Sequence, residues 1–188
     1  MNDLFIPTSS IDRDFRPIHV SNFGRQGHDF YPTPTWVTQT LLDRVTFRGP
    51  VWEPCCGDGA IARQIEARGN RVVATDLSDH GYGAPGIDFL ACNTMPEDCR
   101  AIVTNPPYGD GGAERAAAGA MSARLLLEFV EHGIRLTEQR GGQLALLVRY
   151  TWIAGKRAAG LISSGPLDRV IVLTKRIQWF DKIGRAHV

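Results

Sequence analysis

The sequence predicts an α/β domain built on a doubly wound, mostly parallel sheet. Three observations point there. The chain has 188 residues, 43% hydrophobic and 22% charged, which suits one buried core and not a disordered or fibrous chain. Short apolar runs of strand length alternate with segments whose apolar residues recur at helical spacing, as when helices cover both faces of a sheet. The first of those runs ends in a glycine-rich turn that opens directly into a helical segment.

The elements follow in order. Residues 1–29 are polar and broken by Pro7, Pro17, Gly24 and Gly27, with no sustained period, and are read as an extended arm. Trp36, Val37, Leu41, Leu42 and Val45 follow Tyr31-Pro32-Thr33-Pro34 at helical spacing, which predicts a helix over about 34–45. Pro50–Pro54 is a strand, Cys55–Gly59 a turn, and Ile61 and Ile65 mark a helix that ends near Gly69. Arg71–Asp76 is the next strand, Ile87–Leu90 a weaker one, and Ala101–Asn105 another, stopped by Pro106-Pro107. Gly109–Gly119, with four glycines and four alanines, is a loop by composition, although its alanines suit the helix that follows. Leu125, Leu126, Phe129, Val130, Ile134 and Leu136 carry that helix to about 139; Gln143–Tyr150 is a strand, 152–162 a helix and Arg169–Thr174 a strand. The count is six strands, and no internal repeat is present.

Charge and composition exclude several classes. Lys and Arg total 21 against 20 Asp and Glu, so no global excess marks a nucleic-acid or membrane binder. The distribution is uneven, because residues 1–148 hold 13 basic and 18 acidic side chains whereas 149–188 hold 8 and 2. No apolar run reaches the roughly 18 residues of a membrane span, and MNDLFIPTSS lacks the pattern of a secretory leader, so a cytoplasmic protein is expected. Cys55, Cys56, Cys92 and Cys99 form no CxxC pair, and neither a disulfide framework nor a metal site is expected. Nothing in the sequence speaks to oligomeric state.

Two places carry chemistry. Gly57 and Gly59 lie where a backbone approaches a ligand, and Asp76, 17 residues beyond Gly59 at the end of the second strand, suits both hydroxyls of a ribose. The GxGxxG pattern of phosphate binding is absent, which favours a nucleoside without phosphates over a dinucleotide. The second place is Asn105-Pro106-Pro107-Tyr108, at the carboxyl end of a later strand, where open α/β sheets hold their ligands. Taken alone it reads equally as a proline turn.

With these residues in view, the chain resembles the class I methyltransferases that use S-adenosylmethionine, and among them the amino-methyltransferases acting on adenine N6 in DNA. Glu53-Pro54-Cys55-Cys56-Gly57-Asp58-Gly59 is similar to that family's first motif, Asp76 to the acid of its second, Asp88-Phe89 to its third and Asn105–Tyr108 to its fourth. Tyr31-Pro32-Thr33-Pro34 resembles its tenth motif, placed first as in the gamma-type order. The resemblance covers roughly residues 30–180 and implies a methyltransferase domain over 30–182, of a small, phage-like kind, in a bacterial or phage-infected cytoplasm.

The resemblance implies roles for particular residues. The side-chain carbonyl of Asn105 and the main-chain carbonyl of Pro106 would each accept a hydrogen of N6, directing its lone pair at the methyl group, while Pro107 holds the backbone and Tyr108 stacks on the flipped base. Cys56, Gly57 and Gly59 would contact the cofactor through the backbone, with Thr33 and Pro34 near its methionine part and Glu53 either orienting the motif or reaching the methionine ammonium indirectly; Pro54 and Leu77 would also belong to the cofactor site. Asp76 would hold the ribose and Asp88 the adenine amino group, with Phe89 beside the ring; Asp88 also reads as a solvated turn residue. Arg149, Trp152, Lys175, Arg176 and Trp179 interleave basic and aromatic groups and are the candidates for contact with DNA, the alternative being that Trp152 is a core aromatic. Loop 109–119 is read either as a lid over the base or as disorder.

The chain departs from the family at its end. A full sheet of this class has seven strands, so the final strand is expected to be missing, and no target-recognition domain follows. Ile183-Gly184-Arg185-Ala186-His187-Val188 is what a common sequencing-library adapter, ATC GGA AGA GCA CAC GTC, encodes in frame, so a non-native tail over 183–188 is expected. Two other readings share these motifs: a methyltransferase acting on RNA or on a release-factor glutamine, and an inactive truncated domain that binds cofactor or DNA without turnover.

Overall fold

The computed structural model describes residues 32–107, 115–165, 167–175 and 177. Four of the apolar runs pair as strands: β1 (Val51–Glu53), β2 (Val72–Ala74), β3 (Ala101–Thr104) and β4 (Gln143–Leu146). They lie in the order β2-β1-β3-β4, every pair parallel. The helices are α1 (Thr35–Leu42), α2 (Ala60–Ala67), α3 (Arg115–Glu138), α4 (Tyr150–Ile153) and α5 (Lys156–Ser164).

The period-2 alternation of each strand divides the core in two. Trp52, Val73, Ile102 and Leu144 face one side, against Phe89, Met95, Cys99, Phe129 and Leu136 from the 89–99 segment and α3. Val51, Val72, Ala101, Val103 and Ala145 face the other, against Leu41, Phe47, Ile61 and Ile65 from α1, its following loop and α2. The doubly wound architecture is therefore present as expected. Trp52 is fully buried, and its indole N–H donates to the Thr75 hydroxyl at 2.9 Å, so the central strand buries a large ring without stranding its polar atom.

Several boundaries differ from expectation, each for a local reason. The strand expected at Ile87–Leu90 is a 3-10 turn, Phe89–Ala91, because the Asp88 carboxylate accepts the Leu90 amide at 3.0 Å and competes with extended pairing. What joins the outer edge of β2 is a single bridge, Thr75 with Ala84. The strand expected over Gln143–Tyr150 stops at Leu146, since its partner β3 runs into Pro106-Pro107, which offer no N–H; just beyond the ladder, Leu147 N–H donates to the Thr104 carbonyl at 3.1 Å. Tyr150 then begins α4, and the helix expected over 152–162 is two helices separated at Ala154-Gly155.

Arg169–Thr174 joins no ladder among the described residues. It keeps the strand-like alternation, with Val170 and Val172 at 48% and 61% exposure and Ile171 and Leu173 turned inward. Its ends are tied to α1 and the turn after it: Arg169 donates to the Arg44 carbonyl, and the Lys175 ammonium lies 5.6 Å from the Trp36 ring centroid. The described sheet therefore has four strands where six were expected. The alanines of the expected 109–119 loop are helical from Arg115 onward, in keeping with alanine's propensity. The expected arm over 1–29 and tail over 183–188 lie outside the described residues. Among the described residues no helix is long and apolar enough to cross a membrane.

Candidate active site

The chain leaves β1 through α2 to β2 on one side, then crosses back to β3 on the other, so the crevice above the carboxyl ends of β1 and β3 is the sheet's switch point. Glu53, Asp76 and Asn105 stand at or just beyond the ends of β1, β2 and β3. Adjacent strands lie about 4.8 Å apart, so the ends of β2 and β3 are separated by about 10 Å with β1 between them.

The turn after β1 is held from both sides. Cys56 N–H donates to the Thr75 carbonyl at 3.0 Å, Gly59 N–H to the Cys56 carbonyl at 2.8 Å, and Gly57 N–H to the Asp76 carboxylate at 2.9 Å. The other Asp76 oxygen accepts Ser78 N–H at 2.9 Å and has the His80 ring at 4.0 Å. Each of those oxygens keeps further lone-pair capacity, so a diol can still be accepted. Leu77 follows, half-buried.

Gly59 begins α2 with φ of 83°, and a Cβ there would meet the Tyr82 ring at 2.6 Å. Tyr82 therefore lies directly on the turn. Arg63 sits 4.6 Å from its ring centroid, and its hydroxyl donates to Glu66 at 3.2 Å. Beside it the Asp58 carboxylate accepts Ala60 N–H at 3.1 Å. The sequence reading missed Tyr82; its position between two glycines of positive φ, Gly81 and Gly83, was the available signal. The Cys56 thiol is directed at the Tyr82 carbonyl at 3.4 Å, and burial pushes it up to about 12, so this thiol is inert and any ligand contact runs through the backbone.

Glu53 is 1% exposed, next to the fully buried Pro54. One carboxylate oxygen accepts the Ala62 amide, and Oε2 has no partner among the described residues. Burial raises its pKa well above the usual carboxylate range; the Ala62 amide opposes the rise, and Asp76, Asp58 and Glu66 add to it.

Asn105 follows β3, and its Nδ2 donates to the Thr33 hydroxyl at 3.2 Å, joining the chain ahead of α1 to the end of the third strand. Its Oδ1 is buried, with no partner among the described residues. Pro106 is fully buried and Pro107 half-buried; Pro34 is the residue that caps α1. At Thr33, a cavity of about 90 Å³ lies between α1, β3 and β4, and the buried hydroxyls of Thr38 and Thr104 on its lining have no partner among the described residues.

Other expected site residues lie elsewhere. Asp88 is buried as the cap of the 3-10 turn. The Phe89 ring belongs to the core, 5.3 Å from Trp52, 5.1 Å from Phe129 and 4.8 Å from His132 between centroids, so it is packed away from the crevice. His132, also missed, is lowered to about 4, first by burial and then by Arg135, whose guanidinium reaches its Nδ1 at 2.7 Å. Arg149 is exposed and caps α4, and Trp152 is half-buried in that helix, both beyond the end of β4 and thus beside Asn105's strand. Tyr150 between them is 69% exposed. Lys175 instead lies over Trp36 of α1. Tyr108, Arg176 and Trp179 fall outside the described residues. Among the described residues no three His, Cys, Asp or Glu side chains are grouped as metal ligands.

No family model matches the chain, and no curated protein matches it. Among solved structures it is similar to one described as a putative class I S-adenosylmethionine-dependent methyltransferase from Listeria monocytogenes, 18% identical, with a TM-score of 0.48. The match covers 74% of this chain and 52% of that one, so the chain spans about half its length.

Proposed function

We propose that the chain binds S-adenosylmethionine across the carboxyl ends of β2, β1 and β3 and catalyses methyl transfer to the exocyclic N6 amine of adenine in DNA. The observation that carries the reading is the buried Oδ1 of Asn105, without a partner among the described residues, at the end of the strand next to β1 and its glycine turn. A buried carbonyl oxygen without a donor costs about 1–3 kcal/mol, and an amine hydrogen of the substrate supplies the donor.

The chain's own residues fit the cofactor. Asp76 accepts ribose hydroxyls, and Glu53 Oε2, unpartnered and buried, suits the ammonium of the methionine part. A phosphate is disfavoured at the start of α2, where Asp58 already places a carboxylate on the Ala60 amide and Tyr82 covers Gly59. A nucleoside without phosphates satisfies both conditions. Bound there, S-adenosylmethionine supplies a sulfonium methyl group that N6 attacks in line, with sulfur leaving as a thioether and the N6 proton passing to solvent.

Asn105 acts on the amine. Adenine N6 is a weak nucleophile because its lone pair is delocalised into the ring, and an acceptor on each N–H favours localising it. Asn105 Oδ1 supplies one acceptor and the Pro106 carbonyl the other, so no general base is needed before transfer and positioning provides most of the rate. Exposed Arg149 and Tyr150 beyond β4, with the basic balance of residues 149–188, favour a nucleic acid as the partner.

Incubation with methyl-labelled S-adenosylmethionine and DNA, RNA or release factor tests the reading. Label enters DNA, and Asn105→Ala loses it by about 10²–10³-fold. Label in RNA or in release factor would replace the DNA assignment, and cofactor binding without label on any polymer would remove the enzymatic one.

A further inference from the structure

We infer that Thr33 is a positioning residue for Asn105: its hydroxyl anchors the Nδ2 end of the carboxamide and leaves Oδ1 to the substrate amine. The inference rests on the methyltransferase reading above and assigns Thr33 a role different from contact with the methionine part of the cofactor.

A carboxamide has two similar ends with opposite chemistry, since Oδ1 accepts two hydrogen bonds and Nδ2 donates two. A half-turn about the last side-chain torsion exchanges them. That torsion is broad, so the side chain itself provides little preference. Here Nδ2–H bonds to Thr33 Oγ1 at 3.2 Å, which leaves Oδ1 buried and, among the described residues, open to a donor; a hydroxyl both donates and accepts, so Thr33 fixes where the carboxamide sits and the substrate's N–H groups select the end it presents. In the reversed orientation two N–H groups would confront the N–H groups of the substrate.

Thr33 is itself fixed. It is 7% exposed, directly ahead of Pro34, which caps α1, and the next residues of α1 pack into the sheet through Val37 and Thr38. Proline restricts the residue before it to extended backbone, and a β-branched side chain has few χ1 rotamers, so the hydroxyl has little freedom. A hydroxyl is also the smallest side-chain group that can accept this bond without bringing a charge next to the sulfonium.

Thr33→Val removes the acceptor and keeps the shape; Thr33→Ser restores it. With labelled cofactor and DNA, Thr33→Val is expected to lower kcat by about ten- to a hundredfold with cofactor Kd unchanged, and Thr33→Ser to return kcat to within about threefold. A Thr33→Val enzyme with wild-type kcat, or one whose loss appears as weaker cofactor binding, overturns the inference. The ¹⁵N-edited signals of the Asn105 side-chain amide supply a readout that needs no turnover. One Nδ2 proton exchanges slowly in the wild type and rapidly in Thr33→Val; equal exchange in the two overturns the inference. A wild-type protein that methylates no polymer instead defeats the functional reading, so the two failures are distinguishable.

Discussion

Gly59→Ala should destabilise the fold through two separable terms, one in the backbone and one in Tyr82. The residue has φ of 83° and ψ of 20°, a left-handed conformation that costs an L-residue with a side chain about 1–2 kcal/mol. The new Cβ would also stand 2.6–2.7 Å from three atoms of the Tyr82 ring. The ring can swing away, but doing so gives up its contact with Arg63 at 4.6 Å, about 0.5–1 kcal/mol, and its hydrogen bond to Glu66 at 3.2 Å, about 0.5–1.5 kcal/mol. The total is about 2–4.5 kcal/mol. In a Tyr82→Ala background the ring term disappears and only the backbone term of about 1–2 kcal/mol remains, so the two substitutions should couple by about 1–2.5 kcal/mol. Urea denaturation midpoints of the four proteins measure this. Additivity within about 0.5 kcal/mol would refute the placement of Tyr82 on the turn.

The remaining predictions concern two buried titratable groups and one buried indole. Glu53 has a raised folded pKa, so the folded chain holds a proton that the unfolded chain releases from about pH 4, and stability falls as pH rises through the raised value. Glu53→Gln should remove that slope in pH-resolved melting and weaken S-adenosylmethionine binding in calorimetry; an unchanged slope with unchanged affinity contradicts the assignment. His132 behaves oppositely. Its folded value of about 4 lies below the unfolded value of about 6.5, so its contribution is complete above pH 6.5 and is lost on acidification toward pH 4. His132→Gln should flatten that limb of the stability profile. Trp52→Phe removes the indole N–H that binds Thr75 at 2.9 Å and leaves a void at a fully buried position, costing about 2–4 kcal/mol in chemical denaturation.

Much of the fold can be read from short-range pattern. The alternation within Val51-Trp52, Val72-Val73 and Ala101–Val103 divides those residues between the two faces, as a doubly covered sheet requires. The glycine turn, Asp76 and Asn105 are likewise legible, because each follows an apolar run and so stands at its carboxyl end. What failed depends on partners distant in the chain. Arg169–Thr174 alternates like a strand, but alternation says which face is apolar and not whether an edge is paired, and here Arg169 and Lys175 bind the region of α1 instead. Gln143–Tyr150 is apolar for most of its length, yet its ladder ends where β3 meets two prolines. The apolar run at Ile87–Leu90 yields to the cap made by Asp88, a competition local enough to have been weighed. Tyr82 on Gly59 and His132 on Phe89 are contacts between separate elements, and neither residue carries a motif of its own.

The two ends of the site have different physical characters. The Glu53 end is buried and crowded with carboxylates, so it gains most from a cation. The Asn105 end is neutral and short of a donor, so it gains most from an N–H group. A positively charged methyl donor lying between a carboxylate and an amine answers both demands, and Thr33 links the neutral end to α1.

The most direct test is to identify the atom that receives the methyl group. DNA incubated with the protein and methyl-labelled S-adenosylmethionine, then digested to nucleosides and separated by mass, should yield label in N6-methyl-2′-deoxyadenosine, in amounts that fall by about 10²–10³-fold with Asn105→Ala. Label that appears in another nucleoside, or in N6-methyl-2′-deoxyadenosine at equal levels with Asn105→Ala, would contradict the account.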